Sequence, residues 1–344
     1  MSVATVPPWR KWLPDGFVIA MLGAVALALA VPWLGAPGGP LPLGAITQWG
    51  IALVFFLHGA NLLREVLMRG LSHWRLHLFV QASTFVLFPL IGGAILFAGR
   101  MTSMPADLLL GFFYLCALPS TVSSSVAMTA IGRGNIPAAV FNASLSGLIG
   151  MVVTPLLVGA VGDGMAADTP SIGSAIGDVA LTLLLPFALG QASRRLTGAF
   201  IARNKAWIGK VDRTVIVLIV FTAFAASTAS GTWAEFGIGL LALTIGLTGA
   251  ILALALSTTT LCARLVGFGR ADEVTAVFCG SKKSLANGAP MARILFASNP
   301  SLGLIMLPIM IYHQLQLIVC SVLARRYARA AEREGVAAVS AGPA

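Results

Sequence analysis

Charged residues are scarce in this sequence, and their scarcity excludes most soluble folds. Asp, Glu, Lys and Arg make up 10% of the 344 residues, whereas hydrophobic residues make up 58%. A soluble globular domain carries about 25% charged and about 45–50% apolar residues. So few charges cannot keep so much apolar surface soluble in water. The composition therefore predicts an all-α integral membrane protein, whose helices satisfy their own backbone hydrogen bonds within the bilayer.

Cysteine is also scarce, and the four cysteines lie apart inside apolar segments. No pair has the Cys-x-x-Cys spacing, so the sequence predicts neither a disulfide framework nor a zinc site. The HExxH, GxSxG, Walker A and GxGxxG motifs are absent as well. The sequence thus gives no support to an enzyme, and it predicts no cofactor other than a coupling ion such as Na⁺ or H⁺.

Basic residues outnumber acidic ones by 22 to 12, which gives a formal net charge of +10. They lie in short groups between long apolar runs, a pattern typical of the cytoplasmic loops of an inner-membrane protein and not of a nucleic-acid-binding surface. If both termini are cytoplasmic, all but four of the 22 basic residues lie on the cytoplasmic side. We therefore predict a multi-pass protein of the bacterial inner membrane with cytoplasmic N- and C-termini.

Ten stretches are apolar enough to cross the bilayer, which takes about 20 residues. Residues 16–63 contain two of them, separated by a Pro- and Gly-rich turn near Pro40. The other eight predicted spans are 76–99, 108–132, 134–162, 171–193, 214–234, 236–263, 272–297 and 294–324. The ninth is the least apolar; we include it because the arginines of the C-terminal tail otherwise face outward, against the positive-inside rule.

The two halves of the sequence resemble each other at an offset of about 164 residues. The corresponding positions are Asp107 and Asp272, Cys116 and Cys279, and Asn135 and Asn299. Because each half has five predicted helices, the second half begins on the opposite side of the membrane, as in the inverted repeats of secondary transporters. We predict a first repeat at 1–165, a second at 166–330 and a cytoplasmic tail at 331–344.

The fourth and ninth spans both carry helix-breaking residues near mid-depth. Residues 118–125 include Pro119 and a run of Ser and Thr, and residues 280–284 read Gly-Ser-Lys-Lys-Ser, with Asn287, Gly288 and Pro290 just beyond. Unwound backbone is costly in hydrocarbon unless it is buried in protein or lines a wet cavity. Paired broken helices therefore predict a midplane binding site, where helix N-termini offer unpaired N–H groups to an anion. Two ordinary kinks are the alternative.

Lys282 and Lys283 are the most unusual residues of the predicted site. Each ammonium group near the bilayer centre costs about 2.5–3.5 kcal/mol even on the more lenient insertion scale. We predict that one or both bind an anionic substrate, or that they serve as fixed or titratable positive charges. The alternative is that both extend to a membrane interface.

Further candidate ligands are hydroxyl and amide side chains near the breaks. Hydroxyl and carbonyl oxygens suit a hard cation such as sodium, and we place a candidate sodium site at Ser124 and Ser125. They suit a substrate carboxylate or sulfate equally well, and hydrogen bonding between helices is the alternative for each. The candidates are Gln81, Thr84, Ser120, Thr121, Ser123, Ser124, Ser125, Asn142, Ser284 and Asn287. We interpret the polar side chains of the second and tenth predicted helices as contacts between helices and not as ligands; they are His58, His313, Gln314 and Gln316.

Three stretches together resemble the bile acid:sodium symporter family, and in particular its bacterial symporter-like branch. They are 125–135 (SVAMTAIGRGN), 278–285 (FCGSKKSL) and 307–317 (LPIMIYHQLQL). The resemblance implies a panel domain of helices 1, 2, 6 and 7 and a core domain of helices 3–5 and 8–10. It also implies that the broken fourth and ninth helices cross, and that the substrate is a small organic anion driven by sodium.

The sequence departs from that family at the expected sodium ligands. The acidic position of the ninth helix is Phe278, its amide positions are Lys282 and Lys283, and an expected asparagine is Val126. Our hypothesis is that the lysines take the space and charge of the sodium ions. A fixed lysine makes the carrier independent of sodium, and a titrating lysine allows proton coupling.

The sequence favours a secondary active transporter of a small organic anion, working by alternating access at the midplane site. A sodium/proton antiporter needs membrane carboxylates beside the crossing, and the fourth, fifth and ninth spans have none there. An intramembrane enzyme needs a nucleophile with its base, and no such pair is evident. A membrane regulator that does not transport remains a third class.

Overall fold

The computed structural model describes residues 16–61, 73–162 and 177–340. These residues form α-helices with short 3-10 and π-helical turns, and no β-strand occurs among them. The predicted all-α architecture is therefore confirmed.

Some positions used in the sequence predictions lie outside the described residues. These are Arg10, Lys11, Arg64 and Arg69, which were assigned to the cytoplasmic side, and residues 171–176 of the sixth predicted span.

The helices of the first half, within the described residues, end and restart close to the predicted turns. They are α1 Gly16–Ala30, α2 Leu43–Asn61, α3 Trp74–Gly99, α4 Ala106–Ala117, α5 Val122–Ile131 and α6 Ile136–Gly162. A 3-10 turn, Pro32–Leu34, follows α1, and a π-helical turn, Ser83–Leu87, lies within α3.

The second half repeats this pattern of long helices with one interrupted pair. Its helices are α7 Leu185–Arg203, α8 Lys205–Ala229, α9 Ile238–Leu265, α10 Arg270–Gly280, α11 Leu285–Leu295 and α12 Leu302–Ser340. A π-helical turn, Ala180–Leu184, leads into α7. Most of the predicted tail, residues 331–340, continues α12 as helix.

Six described helices are long and apolar enough to cross a membrane, namely α2, α3, α6, α8, α9 and α12. The pair α4 and α5, bent by 56°, makes a seventh if it is taken as one broken span. α1 is apolar but has only 15 residues, and α10 and α11 have 11 residues each. The fold is thus all-helical, with six or seven candidate membrane spans.

α8 begins earlier than its predicted span. The sequence prediction begins at residue 214 because hydropathy falls where Lys210, Asp212 and Arg213 occur, but the helix begins at Lys205. Asp212 therefore lies seven residues inside α8, about 10 Å from its start at 1.5 Å per residue.

α2 packs along α7, and α1 packs along α8. The first contact depends on two glycines, because a Cβ at Gly59 would overlap the Phe187 carbonyl oxygen and a Cβ at Gly190 would overlap the Phe56 carbonyl oxygen. Small residues allow membrane helices to approach this closely. The reciprocal contact fixes where α2 and α7 cross.

We expect Gly190→Ala to lower the free energy of unfolding by about 1–3 kcal/mol, the usual cost of overpacking a tight contact. Gly246→Ala is the matched control, since Gly246 lies in α9 with no neighbouring atom where its Cβ would be. That control should be neutral or stabilising, because alanine favours helix over glycine. Thermal unfolding in detergent measures both. Equal stability of the two variants would contradict the assignment of the crossing.

Candidate functional site

Two four-residue breaks interrupt the helices, the first break at 118–121 and the second break at 281–284. In the first, Leu118 is extended, with ψ of 153°, as expected for a residue before proline. The second ends at Ser284, whose side chain caps α11 by accepting the Asn287 N–H at 3.1 Å. The first break is shorter than the predicted 118–125, because Ser123 already belongs to the first turn of α5.

The two breaks contact each other directly. The Ser284 N–H donates to the Pro119 carbonyl at 2.9 Å, and the Thr121 hydroxyl donates to the Lys283 carbonyl at 2.8 Å. Each hydrogen bond thus pairs a backbone group of one break, which has no partner within a helix, with a group of the other break.

Serines at the first break also stabilise the end of α10. The Ser120 hydroxyl donates to the Cys279 carbonyl at 2.6 Å, and the Ser125 hydroxyl donates to the Phe278 carbonyl at 3.2 Å. The last carbonyls of a helix have no partner within the helix. These two hydroxyls thus act as caps in this conformation.

The Lys283 ammonium group is surrounded by backbone carbonyls. Its Nζ donates to the carbonyls of Thr84, Cys116 and Leu118 at 3.0, 2.8 and 2.7 Å. It also lies 4.0 Å from the centroid of the Phe88 ring, a favourable cation–π position. Lys283 is completely buried, so its ammonium group has these contacts in place of water.

The π-helical turn of α3 makes one of these carbonyls available. The Phe88 N–H donates to the Ser83 carbonyl, five residues back, and not to Thr84 as it would in an α-helix. Pro89, the next residue, has no N–H to donate. The Thr84 carbonyl therefore has no donor within α3 and accepts from Lys283 instead.

Two of the acceptors, Cys116 and Leu118, lie where α4 ends. The C-terminal end of a helix carries a partial negative charge and attracts cations. Lys283 therefore occupies the position that a bound cation would take at the end of α4.

Lys282 is also completely buried but has fewer partners. Its Nζ donates to the Ser124 carbonyl at 2.9 Å and lies 5.9 Å from the Phe278 ring centroid. The Ser124 hydroxyl is buried without a hydrogen-bond partner in the described structure. A sodium ion at Ser124 would thus lie against the ammonium group of Lys282.

Gln316 on α12 holds the backbone of the second break. Its Oε1 accepts the Lys283 N–H at 3.0 Å, its Nε2 donates to the Lys283 carbonyl at 2.8 Å, and Nε2 lies 3.1 Å from Nδ1 of His313. Gln316 thus joins α12 to the second break, while His313 contacts Gln316 within α12.

The outer ends of the interrupted helices carry two equivalent hydrogen bonds. Asn135, after α5, donates to Asp272 at 2.9 Å, and Asn299, after α11, donates to Asp107 at 2.9 Å. Asp272 and Asp107 lie in the first turns of α10 and α4. The positions compared in the sequence are therefore joined across the two halves.

A cavity of about 360 Å³ lies beside the two breaks, against α2, α7 and α8. Four of the predicted site residues line it, namely Thr121, Ser123, Ser284 and Asn287. α5 and α11 both begin at this cavity. Thr121, the N-cap of α5, makes no capping hydrogen bond with its side chain, so it leaves the first N–H groups of α5 uncapped.

The other predicted site residues do not line this cavity, namely Gln81, Thr84, Ser120, Ser124, Ser125, Asn142, Lys282 and Lys283. Gln81 donates to the Asn142 carbonyl at 3.2 Å, and the Asn142 amide donates to the Ala138 carbonyl at 3.0 Å. This pair joins α3 to α6.

The sequence predictions missed the residues on the opposite wall of the cavity. These are His58 and Asn61 at the end of α2, Phe187 on α7 and Asp212 on α8. The signal in the sequence was Asp212, an acidic residue two positions before an apolar run, but the span prediction placed it in a loop.

A second cavity of about 620 Å³ lies at the other end of α8. It is bordered by the 35–44 turn, by Thr222 and Ala226 of α8, and by Arg293 near the end of α11. Thr222 is ten residues from Asp212, or about 15 Å along the helix axis. The two cavities thus lie at different levels along α8, and only the first is lined by residues of the breaks.

Comparison with known proteins supplies the family. Residues 15–329 match the family model of the SBF-like CPA transporters. The chain is 48% identical to uncharacterized protein PA2026 of Pseudomonas aeruginosa over 334 residues, covering 97% of this chain and 98% of that protein. It is 46% identical to Putative symporter YfeH of Escherichia coli, with coverages of 93% and 94%.

Vertebrate relatives match at lower identity. Sodium/bile acid cotransporter 7 of Xenopus tropicalis is 34% identical over 320 residues, covering 91% of this chain and 90% of that protein. The resemblance drawn from the sequence is confirmed. The chain is a multi-pass membrane protein and belongs to the SBF-like CPA transporter family, a family of transporters and not of enzymes.

Proposed function

We propose that this protein is a secondary active carrier of a small organic anion. The observation that carries the proposal is the cavity at which both α5 and α11 begin. The start of a helix combines unpaired N–H groups with a partial positive charge, so it attracts a carboxylate, sulfate or sulfonate. Hydroxyl and amide groups of Ser123, Ser144 and Asn287 also line the cavity.

We propose ten spans arranged as two inverted repeats, 1–165 and 166–330. The first, second, sixth and seventh predicted spans, which overlap α1, α2, α7 and α8, form the panel, and the other six spans form the core. The paired breaks of equal length and the two Asn–Asp hydrogen bonds between the halves support this arrangement. The packing of α2 on α7 and of α1 on α8 agrees with a separate panel. In this proposal the protein lies in the bacterial inner membrane with both termini cytoplasmic.

The two cavities support alternating access. One borders the breaks from the end that holds Asn61 and Asp212, and the other lies towards the 35–44 turn. Rocking of the panel against the core, as in other secondary transporters, would open the central site first to one end and then to the other.

We propose that the carrier does not need sodium, because its own lysines supply the cations. The three carbonyls around Lys283 Nζ and the one at Lys282 Nζ support this view. The name of the Xenopus relative describes sodium/bile acid cotransport, so sodium coupling is the competing proposal. Proton coupling through a titrating lysine is another.

Transport of impermeant alkanesulfonates of two to six carbons into proteoliposomes tests the proposed function. Ser144→Trp should reduce uptake by about ten-fold or more, because filling the cavity removes at least 1.4 kcal/mol of binding. Leu156→Trp is the matched control, since Leu156 lies on the same helix and its side chain is 41% exposed at the outer surface. Mass spectrometry of the vesicle lumen measures uptake.

Equal uptake in sodium chloride and in choline chloride supports the proposal that the lysines take the place of sodium ions. Undiminished uptake by Ser144→Trp would place the transport path elsewhere. Failure of every sulfonate to enter, with folded protein, would favour a membrane regulator that does not transport.

A further inference from the structure

The wall of the cavity that faces the breaks carries an acidic group. Asp212 of α8 and His58 of α2 both line it, with Oδ1 of Asp212 3.7 Å from Nε2 of His58. That separation is too long for a hydrogen bond, and it makes an ion pair only when the imidazole of His58 is protonated. The wall therefore offers a carboxylate to the cavity, on the side opposite the helix N-termini.

The carboxylate of Asp212 is poorly satisfied by the protein itself. Its Oδ1 is buried and accepts no hydrogen bond from the described residues. Burying a carboxylate oxygen without a hydrogen bond is costly. The nearby positive groups of His58 and Arg213 favour the ionised carboxylate without donating a hydrogen bond to Oδ1, and Arg213 does not line the cavity.

The lysines of the second break lie away from this wall. Lys282 directs its ammonium group to a carbonyl of α5. Lys283 directs its own to carbonyls of α3, of α4 and of the first break, and neither lysine lines the cavity. The cavity thus has an anion-attracting side, formed by the starts of α5 and α11, and a carboxylate on the other side.

Apolar side chains also line the cavity. Val140, Leu148, Met151 and Phe187 contribute to it. Such a surface suits methylene groups rather than further charges. The volume of about 360 Å³ lies within the range of about 300–1,000 Å³ that is typical of small-molecule sites.

We infer that the substrate is a zwitterion: a short aliphatic chain with an acidic group at one end and an ammonium group at the other. The acidic group lies at the starts of α5 and α11, and the ammonium group pairs with Asp212 beside His58. This inference rests on the proposed anion carrier and specifies its substrate class. An ammonium group would give the partly exposed Asp212 carboxylate a charged hydrogen-bond donor from the cavity.

The test compares two series of probes that differ only in the ammonium group. These are alkanesulfonates and ω-aminoalkanesulfonates of two to six carbons, added to the purified full-length protein, with thermal unfolding as the measure of binding. A ligand that binds only the folded state stabilises it according to its concentration relative to Kd. At the best chain length, we expect the amino series to reach half-maximal stabilisation at a concentration about ten-fold lower, a difference of about 1.4 kcal/mol.

Asp212→Asn should abolish this preference while alkanesulfonates still bind. Asp178→Asn is the matched control, since Asp178 is exposed and does not line the cavity, and it should keep the preference. The comparison of the two series in the wild-type protein needs no variant, so a folding defect in Asp212→Asn leaves the test intact.

Equal binding of the two series to the wild-type protein overturns the inference and leaves the proposed anion carrier standing. A preference for the amino series that persists in Asp212→Asn also overturns it, since another group then recognises the ammonium. Binding by neither series contradicts both the inference and the proposed function.

Discussion

Lys283→Ala is expected to lower the free energy of unfolding by about 3–5 kcal/mol. Three buried carbonyls lose a charged donor, at about 1–3 kcal/mol each, and the loss is offset in part because a buried ammonium group is removed. The variant loses three hydrogen bonds from Nζ and leaves the carbonyls of Thr84, Cys116 and Leu118 without that donor. It also leaves space for a cation among these oxygens. We therefore expect its thermal stability to rise in sodium chloride relative to choline chloride, although that of the wild type does not.

The stabilisation by sodium in this variant follows from binding to the folded state alone. It amounts to about 2.7 kcal/mol when sodium is present at a hundred times its Kd. Sodium, potassium and choline chlorides at matched ionic strength distinguish specific binding from screening. A sodium-specific rise in the wild type would contradict the proposal that the lysines replace the ions.

Lys282→Ala is the matched control for the first prediction. Both lysines are completely buried and adjacent, but Lys282 donates to a single carbonyl, that of Ser124. Its loss should cost about 1–3 kcal/mol, less than the loss of Lys283. The reverse order would show that the three carbonyls do not stabilise the Lys283 ammonium group.

The sequence predicts the helices and the two breaks because these depend on local chemistry. Long charge-free runs require helices in a bilayer, Pro119 cannot continue a helix, and Ser284 is a good N-cap. The offset between the halves identified Asp107 with Asp272 and Asn135 with Asn299 as corresponding positions. It did not predict that each asparagine bonds to the aspartate of the other half.

The orientation of the lysines could not be predicted in the same way. Mid-depth position indicates that Lys283 needs polar partners, but its acceptors come from α3 and α4, more than 160 residues away in sequence. One acceptor is available only because α3 contains a π-helical turn. Asp212 was missed for the opposite reason, since hydropathy cannot distinguish a charge in a loop from a charge inside a helix.

The second large effect concerns the backbone of Lys283 and not its side chain. Gln316 accepts the Lys283 N–H and donates to the Lys283 carbonyl. Gln316→Leu leaves this buried N–H without an acceptor among the described residues, at a cost of about 1–3 kcal/mol. Gln314→Leu is the control, because Gln314 lies on the same helix and is only partly buried. Thermal unfolding in detergent should show a large loss for the first variant and a small one for the second.

A double variant with Thr121→Val makes the prediction sharper. The Lys283 carbonyl accepts both from Gln316 Nε2 and from the Thr121 hydroxyl, each at 2.8 Å. Each single variant leaves one of these donors, whereas the double variant removes both. We therefore expect the double variant to lose more stability than the sum of the single losses, by about 0.5–3 kcal/mol, the range found for groups that share a partner. Strict additivity would mean that the crossing is held by contacts other than this shared carbonyl.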